Sequence, residues 1–457
     1  MYPAGSRCSE NADQNYNEND NHQHGNNGAH RNPPWLQWQA CQRYCTPWYV
    51  SSCVLPDTRP PAISEAMNRQ LEPSPIRTTE SNWFAWNTMQ KRLPQNIRNT
   101  IESNPDLTAA DSGRLRDLAQ QIASGQPIPA PTLPAPDYQD WLEQYLPHAG
   151  EHWHDTEWFF GETYAFRLIL DACRYWEHAR DPFFYVKQAE YDADVVYEPV
   201  RVFADMQDRQ PAAAVESMIR ALHAAVWGNR SDLSFSAGAE LNRQRGDAEL
   251  LIVNDDRAAA DMLLGAGGPV HIVMDNSGAE LAGDLVLALE LIRHTAVDLV
   301  LHLKIHPTYV SDTTVADFHH FVRSARNSRD ARISRYGDAL HNAFEQGRIR
   351  LAPDAFWCST RFLEEMPPHI TQTLEGAALV IFKGDLNYRR VVRDTIWPAD
   401  TPLRSAMGAG PAAPILLLRT MKSDVTAALP AEVQRHLDQT DPQWRINGHR
   451  GVIQLAR

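Results

Sequence analysis

A doubly wound α/β domain is predicted for the second half of this sequence, on three observations. Several short apolar runs there lack polar alternation, as strands do when a parallel sheet buries both of their faces. An amphipathic helix separates two of them at the spacing of a βαβ unit, whose crossover should be right-handed. Each run then breaks into dense polar chemistry, as expected where parallel strands present their carboxyl ends to a ligand crevice.

In chain order, Leu250-Leu251-Ile252-Val253 runs into Asn254-Asp255-Asp256, and Val270-His271-Ile272-Val273-Met274 into Asp275-Asn276-Ser277-Gly278. The helix follows, with Leu281, Leu285, Leu289 and Ile292 on its apolar face and Glu280, Asp284 and Glu290 among its polar positions. The run from Val297 to Leu303 leads to Lys304 and the loop from Pro307 to Thr314. Ala378-Leu379-Val380-Ile381-Phe382 gives way to Lys383-Gly384-Asp385-Leu386-Asn387-Tyr388-Arg389, the densest polar segment of the five. Ile415-Leu416-Leu417-Leu418 ends on Arg419-Thr420-Met421-Lys422.

Ahead of these runs, residues 64 to 240 read as helical. Trp83-Phe84-Ala85-Trp86 opens one segment that ends near Asn104-Pro105, Trp153 to Arg180 forms another, and Val215, Met218, Ile219, Leu222 and Val226 line a third. Residues 1 to 55 stand apart. Asn11 to Asn32 is rich in Asn, His, Asp and Gly with little apolar to bury, so a disordered extension is expected, carrying an aromatic patch at Trp35, Trp38 and Trp48. The expected divisions are an extension at 1–55, a helical domain at 56–240 and an α/β domain at 241–457.

The 43 basic and 57 acidic residues give a formal charge of −14, which argues against a nucleic-acid or anionic-membrane partner. No stretch approaches the roughly 18 apolar residues of a membrane span, and Met1-Tyr2-Pro3-Ala4-Gly5 lacks the apolar core of a signal peptide. A soluble, cytoplasmic protein is expected, with the nucleus also open to it. Cys8, Cys41, Cys45, Cys53, Cys173 and Cys358 match no common zinc-finger spacing and read as free thiols in a reducing compartment.

Asp275 and Asn276 beyond one strand, and Asp312 beyond the next, form a hard oxygen set suited to Mg²⁺, Mn²⁺ or a similar divalent ion. Lys383, Arg389, Arg419 and Lys422 come from two further strand ends. Cations gathered around a carboxylate-held metal are what a phosphoryl group requires as charge moves over its oxygens. The plainer alternative for these cations is salt bridging to Asp385 or Glu280. Gly265-Ala266-Gly267-Gly268 precedes a strand and reads as a turn; His152, His154, Asp155 and Glu157 read as the polar face of a helix, and His319-His320 as a solvated face. The sequence carries neither a Gly-x-Ser-x-Gly elbow nor a Walker loop, which disfavours serine-hydrolase and P-loop chemistry.

Seven ordered segments, spread between residue 56 and residue 457, carry a resemblance. They are Phe84 to Ile97 with Arg92-Leu93-Pro94; Trp158 to Arg167 with Glu162, Tyr164 and Arg167; Trp227-Gly228-Asn229-Arg230-Ser231-Asp232-Leu233-Ser234; Asp275-Asn276-Ser277-Gly278-x-Glu280; Val310-Ser311-Asp312-Thr313-Thr314; Lys383 to Arg389; and Arg419-Thr420-Met421-Lys422. In this order they resemble the metal-dependent damage-control phosphatases, once catalogued as domain of unknown function 89. The nearest branch is the sugar-phosphate phosphatases marked by Arg-Thr-x-Lys, also called acidic-residue methyltransferases.

That resemblance implies a Rossmann-like three-layer α/β/α domain behind an N-terminal helical domain. It implies a divalent metal ion (Mn²⁺, Co²⁺ or Ni²⁺, with Mg²⁺ an option) on Asp275, Asn276 and Asp312, the two aspartates being catalytic. It implies substrate contacts from Glu280, Asp385, Leu386, Asn387, Tyr388, Arg389 and Lys422, and small phosphorylated metabolites such as fructose 1-phosphate and fructose 6-phosphate as substrates. Attack by water and attack by Asp275, through an aspartyl phosphate, both remain open. The branch's second name implies an alternative, S-adenosylmethionine-dependent methylation of protein carboxyl groups, although the glycine-rich loop usual for that cofactor is missing. The extension before residue 56 has no counterpart in the family, and protein partners stay unassigned.

Overall fold

The computed structural model describes residues 73–131, 135–209, 212–228 and 250–457. The Asn-rich extension with its tryptophans and four of the cysteines, and the segment Asn229 to Ser234, lie outside the described residues.

Seven strands join in one mostly parallel sheet: β1 (Leu251–Asn254), β2 (Val270–Val273), β3 (Leu299–Lys304), β4 (Ile349–Asp354), β5 (Leu379–Lys383), β6 (Ile415–Thr420) and β7 (Gly451–Ala456), in the order β1-β7-β6-β5-β2-β3-β4. Strands β6, β5, β2, β3 and β4 are mutually parallel. Strand β7 runs antiparallel to β6 and parallel to β1. Both therefore point the other way, and Asn254-Asp255-Asp256 lies at the opposite edge from the other four polar strand ends. An apolar run records burial, not direction, so that reversal was invisible in the sequence. Two strands also escaped the sequence pattern. The edge strand β4 is only partly buried and carries Pro353, while β7 is broken by Gly451 and Gln454.

The helices include α1 (Leu93–Ser103), α2 (Ala109–Ala123), α3 (Trp158–Ala172), α4 (Phe184–Asp192), α5 (Glu198–Arg209), α6 (Ala214–Trp227), α7 (Asp256–Leu264), α8 (Ala279–His294), α9 (Val315–Arg326), α10 (Ala331–Glu345) and α11 (Gly384–Val391). Alternation along the strands divides the apolar side chains between two cores. Val380, Phe382, Ile415 and Leu417 pack with α1, α2 and α3, whereas Leu379, Ile381, Leu416 and Leu418 pack with α5 to α10. The helix opening at Trp83 runs on to Ser103 through a π-helical turn at Thr88–Arg92.

Helix α8 departs from the amphipathic reading. Glu280, Asp284 and Glu290 are all buried, because α6 crosses its outer face. Gly283 permits that crossing, since a Cβ there would stand 2.4 Å from the Ala224 carbonyl oxygen. His152 to Glu157 forms a turn before α3 instead of a helix face, with Asp155 accepting from Arg77 at 2.9 Å. His319 is exposed, as a solvated face requires, while half-buried His320 packs edge-on against the Tyr191 ring. Among the described residues, no helix is long and apolar enough to cross a membrane.

Candidate functional site

The chain runs β2 to β3 to β4 in one direction and β5 to β6 in the other, so β2 and β5 flank the point where strand order reverses. Connections diverge there and leave room at the carboxyl edge of an α/β sheet. Asp275 stands just past β2 and Gly384 just past β5. Gly384 has φ +76°, and a Cβ on it would stand 1.8 Å from Asp275 Oδ2. Only a glycine lets the start of α11 lie flat against that carboxylate.

The neighbouring loops fix the rest. The Asp275 carbonyl accepts from Thr313 N at 2.7 Å, and Asn276 forms an isolated antiparallel bridge with Asp312. Asn276 Nδ2 donates to Asp275 Oδ2 at 3.1 Å and Glu280 Oε2 at 2.9 Å, while its Oδ1 accepts from Ser311 Oγ at 2.6 Å. Asp312 is presented by a strained turn: Tyr309 and Val310 have φ +46° and +66°, and Ser311 N donates back to the Tyr309 carbonyl at 2.8 Å. A β-branched residue in that region costs about 1–3 kcal/mol and persists only where its surroundings enforce it. Here Tyr309 is locked by the Thr163 hydroxyl at 2.6 Å and by stacking on Phe166.

Burial and like charge dominate the electrostatics. Asp275 is pushed well above the usual carboxylate range, first by burial and then by Glu280 and Asp312, against the pull of Lys304 and Lys422. Burial likewise pushes Asp312 up to about 6, with Lys304 and Lys187 opposing. Asp312 Oδ2 lies 3.2 Å from Lys304 Nζ, an ion pair without hydrogen-bond alignment. Both side chains are 1% exposed.

The strand-end cations divide into two kinds. Lys383 points beneath the site, donating to the Ala225 carbonyl at 2.6 Å and pairing with Asp284 at 3.0 Å and Glu280 at 3.6 Å. One ammonium shared between two carboxylates does not offset the burial of Asp284, whose pKa rises to about 8. Arg419 is consumed by Asp385 at 2.7 Å, the Val425 and Ser423 carbonyls and the Tyr388 ring. Arg389 is clasped by Asp394 at 2.7 Å and Glu162 at 2.6 Å over the Trp158 face. Only Lys422, half-buried, keeps an ammonium with no hydrogen bond or ion pair among the described residues.

The other expected contacts are mostly braces. Asn387 Nδ2 ties the Met274 and Lys383 carbonyls at 3.0 and 2.8 Å, joining the ends of β2 and β5. Tyr388 is buried with its hydroxyl on Ala427, and Leu386 is buried. Asp385 Oδ1 accepts from Lys422 N at 3.1 Å, which sets that lysine's backbone. Burial alone would raise Asp385, but the Arg419 and Arg389 charges and hydrogen bonds from Ser423 and Arg419 hold it below the usual range. Asp275, Asn276, Asp312, Glu280, Asp385 and Lys422 thus lie in one connected cluster. Arg389 and Tyr388 face away into packing. Lys304, Ser311, Thr313 and Gly384 belong to the cluster and were not singled out from the sequence. A lysine closing a fully buried, mostly apolar strand was the one signal for Lys304.

A family model described as the damage-control phosphatase ARMT1-like domain matches residues 88–437. The chain belongs to the ARMT1-like damage-control phosphatase family. Damage-control phosphatase ARMT1 of Xenopus laevis is 28% identical over 426 residues, covering 82% of this chain and 96% of that protein. The Danio rerio protein of that name is 27% identical, with 84% and 97% covered, and the Homo sapiens one 24% identical, with 84% and 98% covered. A crystal structure of a DUF89 family protein from Pyrococcus horikoshii overlaps with TM-score 0.46 at 15% identity, covering 81% of this chain and 98% of that one.

In this ARMT1-like chain, Asp275 Oδ1 and Asp312 Oδ2 are buried acceptors without a hydrogen-bond partner. Lys304 at 3.2 Å offsets part of the Asp312 charge, but two buried carboxylates that repel each other are still the condition a divalent cation relieves, so the pair fits such an ion. Among the described residues, no three His, Cys, Asp or Glu side chains close up into a metal-binding group. Asn276, the expected third ligand, turns its amide nitrogen to Asp275 and would have to rotate to offer an oxygen.

Proposed function

We propose that this ARMT1-like phosphatase is a divalent-metal-dependent phosphomonoester hydrolase of small phosphorylated metabolites, with fructose 1-phosphate and fructose 6-phosphate the first substrates to test. One observation carries the reading: the buried carboxylates of Asp275 and Asp312, the first with an unpartnered oxygen and the second with only Lys304 at 3.2 Å, share a site with a Lys422 ammonium that has no hydrogen bond or ion pair among the described residues. An ion held by Asp275, Asp312 and a rotated Asn276 (Mn²⁺, Co²⁺, Ni²⁺ or Mg²⁺) would supply charge neutralisation and polarise phosphorus. Lys422 binds a phosphoryl oxygen and gains as negative charge develops there. Glu280 orients Asn276 through its 2.9 Å contact, and Asp385 seats Lys422. Gly384 and Asn387 keep the ends of β2 and β5 in register. The fold assigned with this function is a Rossmann-like three-layer domain at 241–457 preceded by helices at 56–240, with the extension at 1–55 outside the chemistry.

Purified full-length chain is incubated with Mn²⁺, Co²⁺ or Ni²⁺ and a panel of phosphosugars, and phosphate release is measured against an Asp275→Ala control. Release from ketose phosphates well above the control is expected. Release no greater than the control across the panel refutes the reading.

A further inference from the structure

The site holds more unsatisfied groups than a metal ion can satisfy. Asp275 Oδ1 has no donor and Asp312 Oδ2 has only the Lys304 ammonium at 3.2 Å, and a cation answers both. Lys304 Nζ is equally buried and has no aligned acceptor among the described residues, and the Thr313 hydroxyl, which can donate or accept, is likewise unpartnered. A cation offers nothing to an ammonium. Lys304 carries three N–H bonds and a full charge, and an ammonium 1% exposed with no aligned acceptor is costly to maintain. Its ion-pair partner, Asp312 Oδ2 at 3.2 Å, compensates the charge and occupies at most one of the three N–H bonds.

Incompletely satisfied acceptors and donors thus meet at the end of β3, where Lys304 pairs with Asp312 and its backbone N–H donates to the Thr313 carbonyl at 3.0 Å. The natural complement of such a surface is a cation together with a polyoxyanion. We infer that Lys304 is a second phosphate-binding ammonium, donating to a phosphoryl oxygen opposite Lys422, with the Thr313 hydroxyl supplying a further donor. The inference rests on the phosphatase reading and makes Lys304 a catalytic residue beyond the expected set. Two cations on opposite sides of one phosphoryl group would hold it in place as its equatorial oxygens gain charge. Lys187 takes no such part: its ammonium is satisfied by Asp317 at 2.8 Å and Asp181 at 3.0 Å.

The test is calorimetric titration of inorganic phosphate into the Mn²⁺-loaded full chain, parent and Lys304→Met. The methionine keeps the length and bulk of the stem and removes the charge. The phosphate Kd should rise at least about tenfold, as loss of one charge-assisted contact implies, while the Mn²⁺ Kd is not weakened. An unchanged phosphate Kd with weakened Mn²⁺ binding overturns the inference, because Lys304 would then serve only to neutralise Asp312. Absence of phosphate binding by the parent overturns it as well. Should Lys304→Met fold poorly, a crystal structure of the parent with Mn²⁺ and phosphate decides. Nζ within about 3.2 Å of a phosphate oxygen supports the assignment, and Nζ remaining on Asp312 with no phosphate oxygen in reach refutes it. A parent that binds phosphate through Lys304 but hydrolyses no phosphosugar separates the two readings: the substrate assignment falls and the binding role stands.

Discussion

Replacing Gly384 by alanine tests whether the geometry around Asp275 is what the chain needs. An added Cβ would meet Asp275 at three points, Oδ2 at 1.8 Å, Cγ at 2.4 Å and Cβ at 2.8 Å, on a residue with φ +76°. The left-handed backbone costs an L-residue about 1–2 kcal/mol, and forcing a methyl into a packed site adds about 1–3 kcal/mol. Gly376 supplies the control, because it has φ +79° but nothing within 4 Å of its Cβ position. Gly376→Ala should show only the backbone cost. Urea unfolding should therefore place Gly384→Ala about 1–3 kcal/mol below Gly376→Ala. The activity gap should be far larger. Clearing those contacts shifts the Asp275 carboxylate by the order of 1 Å, and such a misplacement costs on the order of 100-fold in turnover. Gly376→Ala should retain parental turnover and Mn²⁺ affinity. If Gly384→Ala matches Gly376→Ala in stability, metal binding and phosphate release, Asp275 is not held as described and its role in the site is wrong.

Lys422→Ala should lower kcat/KM by roughly tenfold to several hundredfold, from about 2–4 kcal/mol of lost electrostatic stabilisation, without weakening Mn²⁺ binding; parental turnover of fructose 1-phosphate would remove Lys422 from the phosphate site. Arg389→Gln should act on stability, by about 3–5 kcal/mol in urea unfolding, because it strands buried Asp394 and Glu162; a stable variant with a raised KM would instead make Arg389 a substrate contact. His271 and His302 share a buried 2.9 Å contact between β2 and β3, and burial lowers them to about 4 and about 3. Their folded pKa values lie below the unfolded one, so stability is complete above about pH 6.5 and falls as pH drops from there through about 4, by up to ~1.4 kcal/mol per unit for each histidine. Urea unfolding at pH 6.5, 5.5 and 4.5 should show a shallower fall for His302→Leu than for the parent, and equal slopes would contradict the buried pair.

Much of the fold could be read directly, because a parallel sheet writes its central strands as unbroken apolar runs and its ligand edge as the residues that follow. The direction of β1 was not readable, nor was β4, whose edge position dilutes the pattern. The site was legible in its residue types more than in its pairings. Lys383, Arg389, Arg419 and Lys422 look alike in sequence, yet three are committed to Asp284, Asp394 and Asp385, and the Lys422 ammonium has no partner among the described residues. That distinction depends on partners contributed from as far away as Glu162. Glu280 and Asp284 sit on what reads as a polar helix face, and only the crossing of α6 over Gly283 buries them. Gly384 is legible only as part of the polar segment after an apolar run, and its close approach to Asp275 joins two strands whose adjacency the sequence does not state.

The claim at the centre, that Asp275 and Asp312 hold the ion that phosphate hydrolysis requires, is tested most directly by titrating Mn²⁺ into chelator-stripped full-length chain. Bound metal and phosphate release from fructose 1-phosphate are followed in the same samples. Activity should rise in proportion to occupancy of a single site per chain, and Asp312→Asn should weaken occupancy and activity together. Full activity in the stripped parent, or an Asp312→Asn variant that binds Mn²⁺ and releases phosphate as the parent does, would contradict the claim.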